Sequence, residues 1–224
     1  MNIRLYYPSS IVENTTALLS KDHTHYIMNV MRLKRGSKIN FFNKTGEWKS
    51  EIIFLEKDRV EVKFLKQVKS ANNQSKIELA VCLVKKNPME TILQKATELG
   101  VSKIIPIISE RTEVKELNQD RAKKITIEAT EQSNQLVPPE ITEVIKLNDF
   151  LKKLDESTKL LFADVNSQDN LKIEDLQGSK SLCVLIFLDF ISCLMSSTAS
   201  QIAPSKKESR GVIGLYCFFF LFFR

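Results

Sequence analysis

Over the first seventy residues, apolar and polar positions alternate with the period of β-strands. Ile3, Leu5 and Tyr7 alternate, and residues 38–43, 48–55 and 60–65 repeat the pattern across short polar breaks. Asn43-Lys44-Thr45-Gly46 supplies turn chemistry between two of these runs. From Asp22 to Met31 the period changes, placing Ile27, Met28, Val30 and Met31 near one face of a helix. The pattern predicts a small β-barrel-like domain over residues 1–70, of a kind that can present a basic rim to RNA. Residues 67–75 (QVKSANNQS) are polar and turn-rich and read as a linker.

From residue 76 strand and helix patterns alternate. Residues 77–84 are β-rich. Asn87-Pro88-Met89-Glu90 then offers an N-cap, a proline at the first helical position and an acid two residues on. Met89, Ile92, Leu93, Ala96 and Leu99 form the apolar stripe of that helix, and Gly100 stops it. A buried strand is expected at 104–108, helices at 120–133 and 149–154, and strands at 160–165 and 182–187. Such alternation predicts an α/β domain with a mainly parallel sheet over residues 76–186.

Composition divides the chain further. Of its 224 residues 43% are hydrophobic and 27% charged, which excludes disorder throughout. A net charge of +6 and a pI near 9.0 admit an anionic partner. Seven of the thirteen Phe and three of the four Cys follow residue 182, so residues 187–224 form an apolar tail unlike what precedes them. The four Cys form no CxxC pair and only two His accompany them, which argues against zinc and against a disulfide framework. No metal is expected, and the cysteines read as reduced and structural. The start of the chain shows no basic region followed by an apolar run, so a cytoplasmic protein is expected. Two late apolar stretches, 182–195 and 211–223, are shorter than the ~20 residues of a spanning helix.

Polar clusters stand out against this background. Lys95 and Glu98 are i,i+3 neighbours that would make a surface ion pair on a helix. Arg111 follows the carboxyl end of an expected parallel strand, the edge where open α/β sheets place ligand groups. Arg32, Lys34 and Arg35 surround Gly36 and could neutralise phosphates, or simply form a solvated turn. Arg4 lies beside Tyr6 and Tyr7, a basic group next to aromatic faces on which bases could stack.

Three runs carry a resemblance: HYIMNVMRLKRGSKINFFN, KKNPMETILQKATELGVSKIIPIISERTEVK and IEATEQSNQLVPPEI. In order and spacing they resemble the bacterial ribosomal small-subunit RNA methyltransferase E family, over about residues 1–186. The resemblance implies a PUA-like barrel for RNA followed by a SPOUT domain with a trefoil knot, acting as a homodimer on 16S rRNA of the small ribosomal subunit. It implies methylation of uridine N3 with S-adenosylmethionine as methyl donor. Arg4, Arg32, Lys34 and Arg111 become candidates for RNA contact. Lys95, Glu98, Glu131 and Gln132 become candidates for the knot-domain site or the dimer interface. No general base is apparent.

The family follows the strand ending at Ile186 with a glycine-rich loop of GPEGG type, and later carries an LG-x-x-ILR-x-ETA segment. Here Ile186 precedes Phe187-Leu188-Asp189-Phe190, with no glycine until Gly211, and neither segment is present. Side chains in such a loop occupy the approach that glycines leave open to an adenosyl ligand. Gln135 stands where the family commonly has Arg. Two accounts of the tail stay open: a frameshift or assembly error, or divergence into a protein that binds RNA without transferring methyl or that carries a short membrane-associating tail. The Phe-rich end is an aggregation hazard under either.

Overall fold

The computed structural model describes residues 3–56, 58–71, 77–110, 112–155, 157–163, 181–186 and 213–215. They fall into two compact units. One holds the described residues of Met1–Gln74 with Ile127–Pro138, the other those of Ser75–Thr126 with Pro139–Arg224.

The first unit is a five-stranded sheet. Its strands are β1 (Arg4–Tyr6), β2 (Thr16–Leu18), β3 (Lys38–Asn43), β4 (Gly46–Glu56) and β5 (Arg59–Ser70), in the order β1-β3-β4-β5-β2. β1 runs parallel to β3, and the other pairings are antiparallel. Alternation along each strand sends Leu5, Ile39, Phe41, Ile52, Val62 and Phe64 to one buried core. Within it Phe41 and Phe64 meet edge to face at 5.9 Å. Three register shifts between β4 and β5 curl this long pair, as bulges do. Helix α1 (Lys21–His25) continues into a π-helical turn, Tyr26–Val30, which seats Ile27 in the core. Ser20 caps α1 by accepting from the His23 amide at 3.2 Å.

The second unit is built on β6 (Ile77–Cys82), α2 (Lys86–Glu98), β7 (Lys103–Ile108), α3 (Gln119–Gln132), β8 (Glu140–Ile141), β9 (Ile145–Lys146), α4 (Leu147–Lys153), β10 (Thr158–Ala163), β11 (Ser181–Ile186) and β12 (Ile213–Leu215). The sheet order is β12-β10-β11-β6-β7-β8, with β9 also on β7, and every pairing is parallel. The two faces read off in alternation. Leu79 and Val81 face a core containing Met89, Leu93, Ala122 and Ile125 of α2 and α3, whereas Ala80 and Cys82 face Leu147 and Phe150 of α4. Helices thus cover the sheet on both faces, which explains its near-continuous apolar strands. Helix α3 crosses the division: its residues to Thr126 belong to this unit and those from Ile127 to the first.

Several expectations change. β5 runs on to Ser70, so the first four linker residues are sheet, and residues 72–76 lie outside the described set. α2 begins at Lys86 with Lys85 as cap, so Asn87 is inside the helix, where its carbonyl accepts from Thr91 Oγ1. The α2 stripe ends at Ala96 and Thr97, while Leu99 is 72% exposed because the helix closes there. Gly100 takes φ +82° and lets the Val101 amide reach back to the Ala96 carbonyl. α4 starts two residues earlier than the pattern placed it. In the apolar tail, Ile213–Leu215 adds a parallel strand to β10, and the segment in place of the glycine-rich loop lies outside the described residues.

Candidate functional site

The basic turn after the π-helical segment is held by backbone bonds rather than by its charges. The amide of Leu33 donates to Ile27 O, and its side chain packs against the core. Gly36 N–H donates to Ile52 O at 2.8 Å and Ile52 N–H to Ser37 O at 3.0 Å, tying the turn to β4. Ser37 Oγ accepts from the Lys34 amide at 3.1 Å. With Leu33 turned inward, Arg32, Lys34 and Arg35 are exposed. Arg32 sits at φ +50°, a conformation that costs a side-chain-bearing residue about 1 kcal/mol. Rigid backbone beneath long free cations suits phosphate binding.

Arg4 is placed differently from the expectation. Its side chain is only 9% exposed and pairs with Glu47, itself 7% exposed, at 3.1 Å. Nη1 donates to the carbonyls of Thr130 and Glu131, Nη2 to that of Gln135, and the guanidinium lies 4.4 Å over the Phe42 ring. Asn40 adds a bond to Glu47 Oε1 at 2.7 Å. A guanidinium with these partners is spent on structure: it donates to two carbonyls in the last turn of α3 and to one just beyond it. The aromatic neighbours are also engaged, Tyr6 against Phe42 and Tyr7 against Phe41 and Phe64.

Glu131 joins the same cluster, accepting from the Tyr6 amide at 2.8 Å. Burial pushes its carboxyl above the usual value and Glu128 adds to the rise, while the Tyr6 amide and Arg4 oppose it. Gln132 is exposed. The contact from Arg4 to the Gln135 carbonyl uses main chain, so it is indifferent to glutamine replacing arginine there. Sequence reasoning missed Glu47 and Asn40 because an acid and an amide in alternating strand positions look like solvent-facing residues.

In the second unit Lys95 and Glu98 form the i,i+3 pair at 2.8 Å, and Gln94 Nε2 donates to the other Glu98 oxygen. The Lys95 hydrogen bond foremost lowers the Glu98 carboxyl below its ordinary value. Arg111 lies outside the described residues. Its neighbours form a closed turn at the carboxyl end of β7, where Thr112 Oγ1 accepts from the Ser109 amide and bonds Ser109 Oγ at 2.8 Å.

The sheet order locates the ligand edge. The chain leaves β6 for β7 on one side and returns to β11 on the other, so the crevice opens at the carboxyl ends of β6 and β11. Leu83 and Val84 follow β6, Ser109 and Thr112 follow β7, and Ile186 ends β11. Beside it, α2 and α3 flank a cavity of about 460 Å³ lined by Leu83, Met89, Leu93 and Ile125. Arg121 closes its rim on Glu90 with two bonds of 3.1 and 2.9 Å. This frame suits a nucleoside-type donor, but each described residue at the carboxyl edge carries a Cβ, and the chain goes on from Ile186 into Phe187-Leu188. Among the described residues no group of three or more His, Cys, Asp or Glu could hold a metal, and no helix is long and apolar enough to cross a membrane.

Comparison with known proteins supplies the class. A family model described as an RNA methyltransferase domain matches residues 70–187, and one described as an RNA methyltransferase PUA domain matches residues 19–65. The fold is therefore that of an RNA methyltransferase domain joined to a PUA domain. A protein of Rickettsia conorii named ribosomal RNA small subunit methyltransferase E is 34% identical over 80% of this chain and 73% of its own length. Its namesake in Bacillus subtilis is 31% identical over 68% of this chain and 63% of the relative. The chain belongs to the ribosomal RNA small subunit methyltransferase E family. A crystal structure of the Neisseria gonorrhoeae member bound to S-adenosyl methionine aligns with TM-score 0.72 and 26% identity, covering 84% of this chain and 79% of that one.

Proposed function

We propose that the protein methylates N3 of a uridine in 16S rRNA of the small ribosomal subunit, acting in the cytoplasm as a homodimer with S-adenosylmethionine as donor. The observation that carries this reading is the parallel sheet of the matched domain, whose crevice at β6 and β11 stands where such sheets bind ligands. The donor, when bound, supplies an electrophilic methyl group. Uridine N3 carries a proton and is a poor nucleophile until that proton leaves, so the protein must hold the base and stabilise its anion. The exposed Arg32 and Lys34 hold the RNA by its phosphates. Arg111, three residues past the end of β7 in sequence, is a further candidate for RNA contact. Lys95, Glu98 and Gln132 are candidates for the dimer surface.

One feature favours a second reading. The chain has no glycine between Gly178 and Gly211, where the family's donor loop belongs, which suits a relative that binds RNA without transferring methyl. Calorimetric titration with S-adenosylmethionine, paired with transfer of labelled methyl to small ribosomal subunits, separates the two. Saturable binding and incorporation support the enzyme, whereas RNA binding without either leaves the binding module.

A further inference from the structure

The strand register of the first unit aligns Arg4, Asn40, Lys49 and Lys66 in one row across β1, β3, β4 and β5, and Tyr6, Phe42, Glu47 and Lys69 in the next. Directly paired residues of a sheet share a face. These rows therefore lie opposite the core row of Leu5, Phe41 and Trp48. Glu47 is the single carboxylate in the two rows, and Arg4 and Asn40 already occupy it. Lys49 and Lys66 stand directly opposite one another, with no carboxylate at ion-pair distance among the described residues. Lys66 is exposed and Lys49 half-buried. Lys69 Nζ donates to the Asn134 carbonyl, a neutral partner. The acids that α3 brings to this unit are Glu131, held by the Tyr6 amide, and Glu128.

Like charges at directly paired positions destabilise a sheet, and a bound anion would relieve that repulsion by simple Coulomb attraction to both ammonium groups. We propose that the Lys49–Lys66 face is a second contact surface for the RNA phosphate backbone, beside the Arg32–Lys34 turn; this rests on the RNA-binding reading above. Each ammonium is a flexible point charge that neutralises phosphate without reading bases. The surface adds affinity and orientation, and sequence choice lies elsewhere.

The test is titration of a labelled oligouridine of about 20 nucleotides at several salt concentrations, with the full chain, K49Q/K66Q and R32Q/K34Q. Loss of two phosphate contacts lowers the slope of log affinity against log salt by about 1.4, at ~0.7 for each contact with a single strand. A fall of about tenfold or more in affinity at low salt should accompany it. Thermal melting of K49Q/K66Q should match or exceed the parent, because a repulsion has been removed. Unchanged affinity and slope in K49Q/K66Q, with the parent binding, overturns this surface alone. Failure of the parent to bind at low salt overturns both this surface and the RNA-binding reading. A lowered melting temperature in K49Q/K66Q overturns the repulsion on which the surface is argued.

Discussion

Replacing Arg4 by alanine would leave the Glu47 carboxylate buried without its cation and remove the guanidinium bonds to the Thr130, Glu131 and Gln135 carbonyls. Breaking one side of a buried pair costs about 3–5 kcal/mol, so R4A should shift the urea midpoint far down, and R4K should recover only part of the loss because one ammonium cannot reach every acceptor. Two titratable groups in the same unit give opposite pH slopes. Burial lowers the His23 imidazole below its ordinary value, with Asp22 and the Tyr6 backbone opposing. The folded state then binds fewer protons than the unfolded one, so stability present above about pH 6.5 is lost as the pH falls below it. Glu131 is raised instead, so the folded state favours its neutral form, and stability present below about pH 4.5 is lost as the pH rises through the raised value. E131Q, which can still accept from the Tyr6 amide, should be more stable than the parent at pH 7, with the gap closing at acid pH. Denaturation series at stepped pH on the parent, H23Q and E131Q would show both slopes, and a parallel profile for E131Q and the parent would refute the second.

Among the elements, the β3–β4 hairpin depends on one backbone conformation. Gly46 takes φ +147°, and a Cβ there would fall 2.4 Å from the Lys69 carbonyl and 2.3 Å from Gln67 Nε2. The glutamine could swing aside, but the carbonyl belongs to β5 and could not. G46A should therefore cost more than the roughly 1 kcal/mol expected of G36A, where φ is +86° but nothing lies within 4 Å. Helix α2 offers a matching contrast on its apolar stripe. L93A opens a cavity in the second core and should cost about 2–5 kcal/mol, whereas L99A, at an exposed helix end, should stay within about 0.5 kcal/mol. Equal losses for the two would mean that the helix continues past Glu98.

For the molecule as a whole, the division of the chain is not the division of the sequence. Residues 127–138 fold with the first unit although they follow Ser75–Thr126 of the second. Hydrogen exchange of the intact protein should show Tyr6 and the 127–138 amides opening together, and R4A should hasten both more than β6 or β11. The longer strands, α2, α3 and the parallel character of the second sheet could be read directly because a period of two or of 3.6 is written in nearest neighbours, whereas β2, β8, β9 and β12, of two or three residues each, are too short to show one. The exposed basic turn was equally legible, since Gly36 and three cations lie within five residues. The role of Arg4 was not, because its partners are 43 to 131 residues away and meet it only after β1 joins β3 and α3 closes on the sheet. The Lys49–Lys66 pairing was hidden for the same reason: strand register depends on turn length and bulges, and a shift of one residue would turn either lysine to the other face. Local chemistry settled which elements form and where cations collect, while the meeting of distant strands settled which cations are spent on the fold and which remain for a partner.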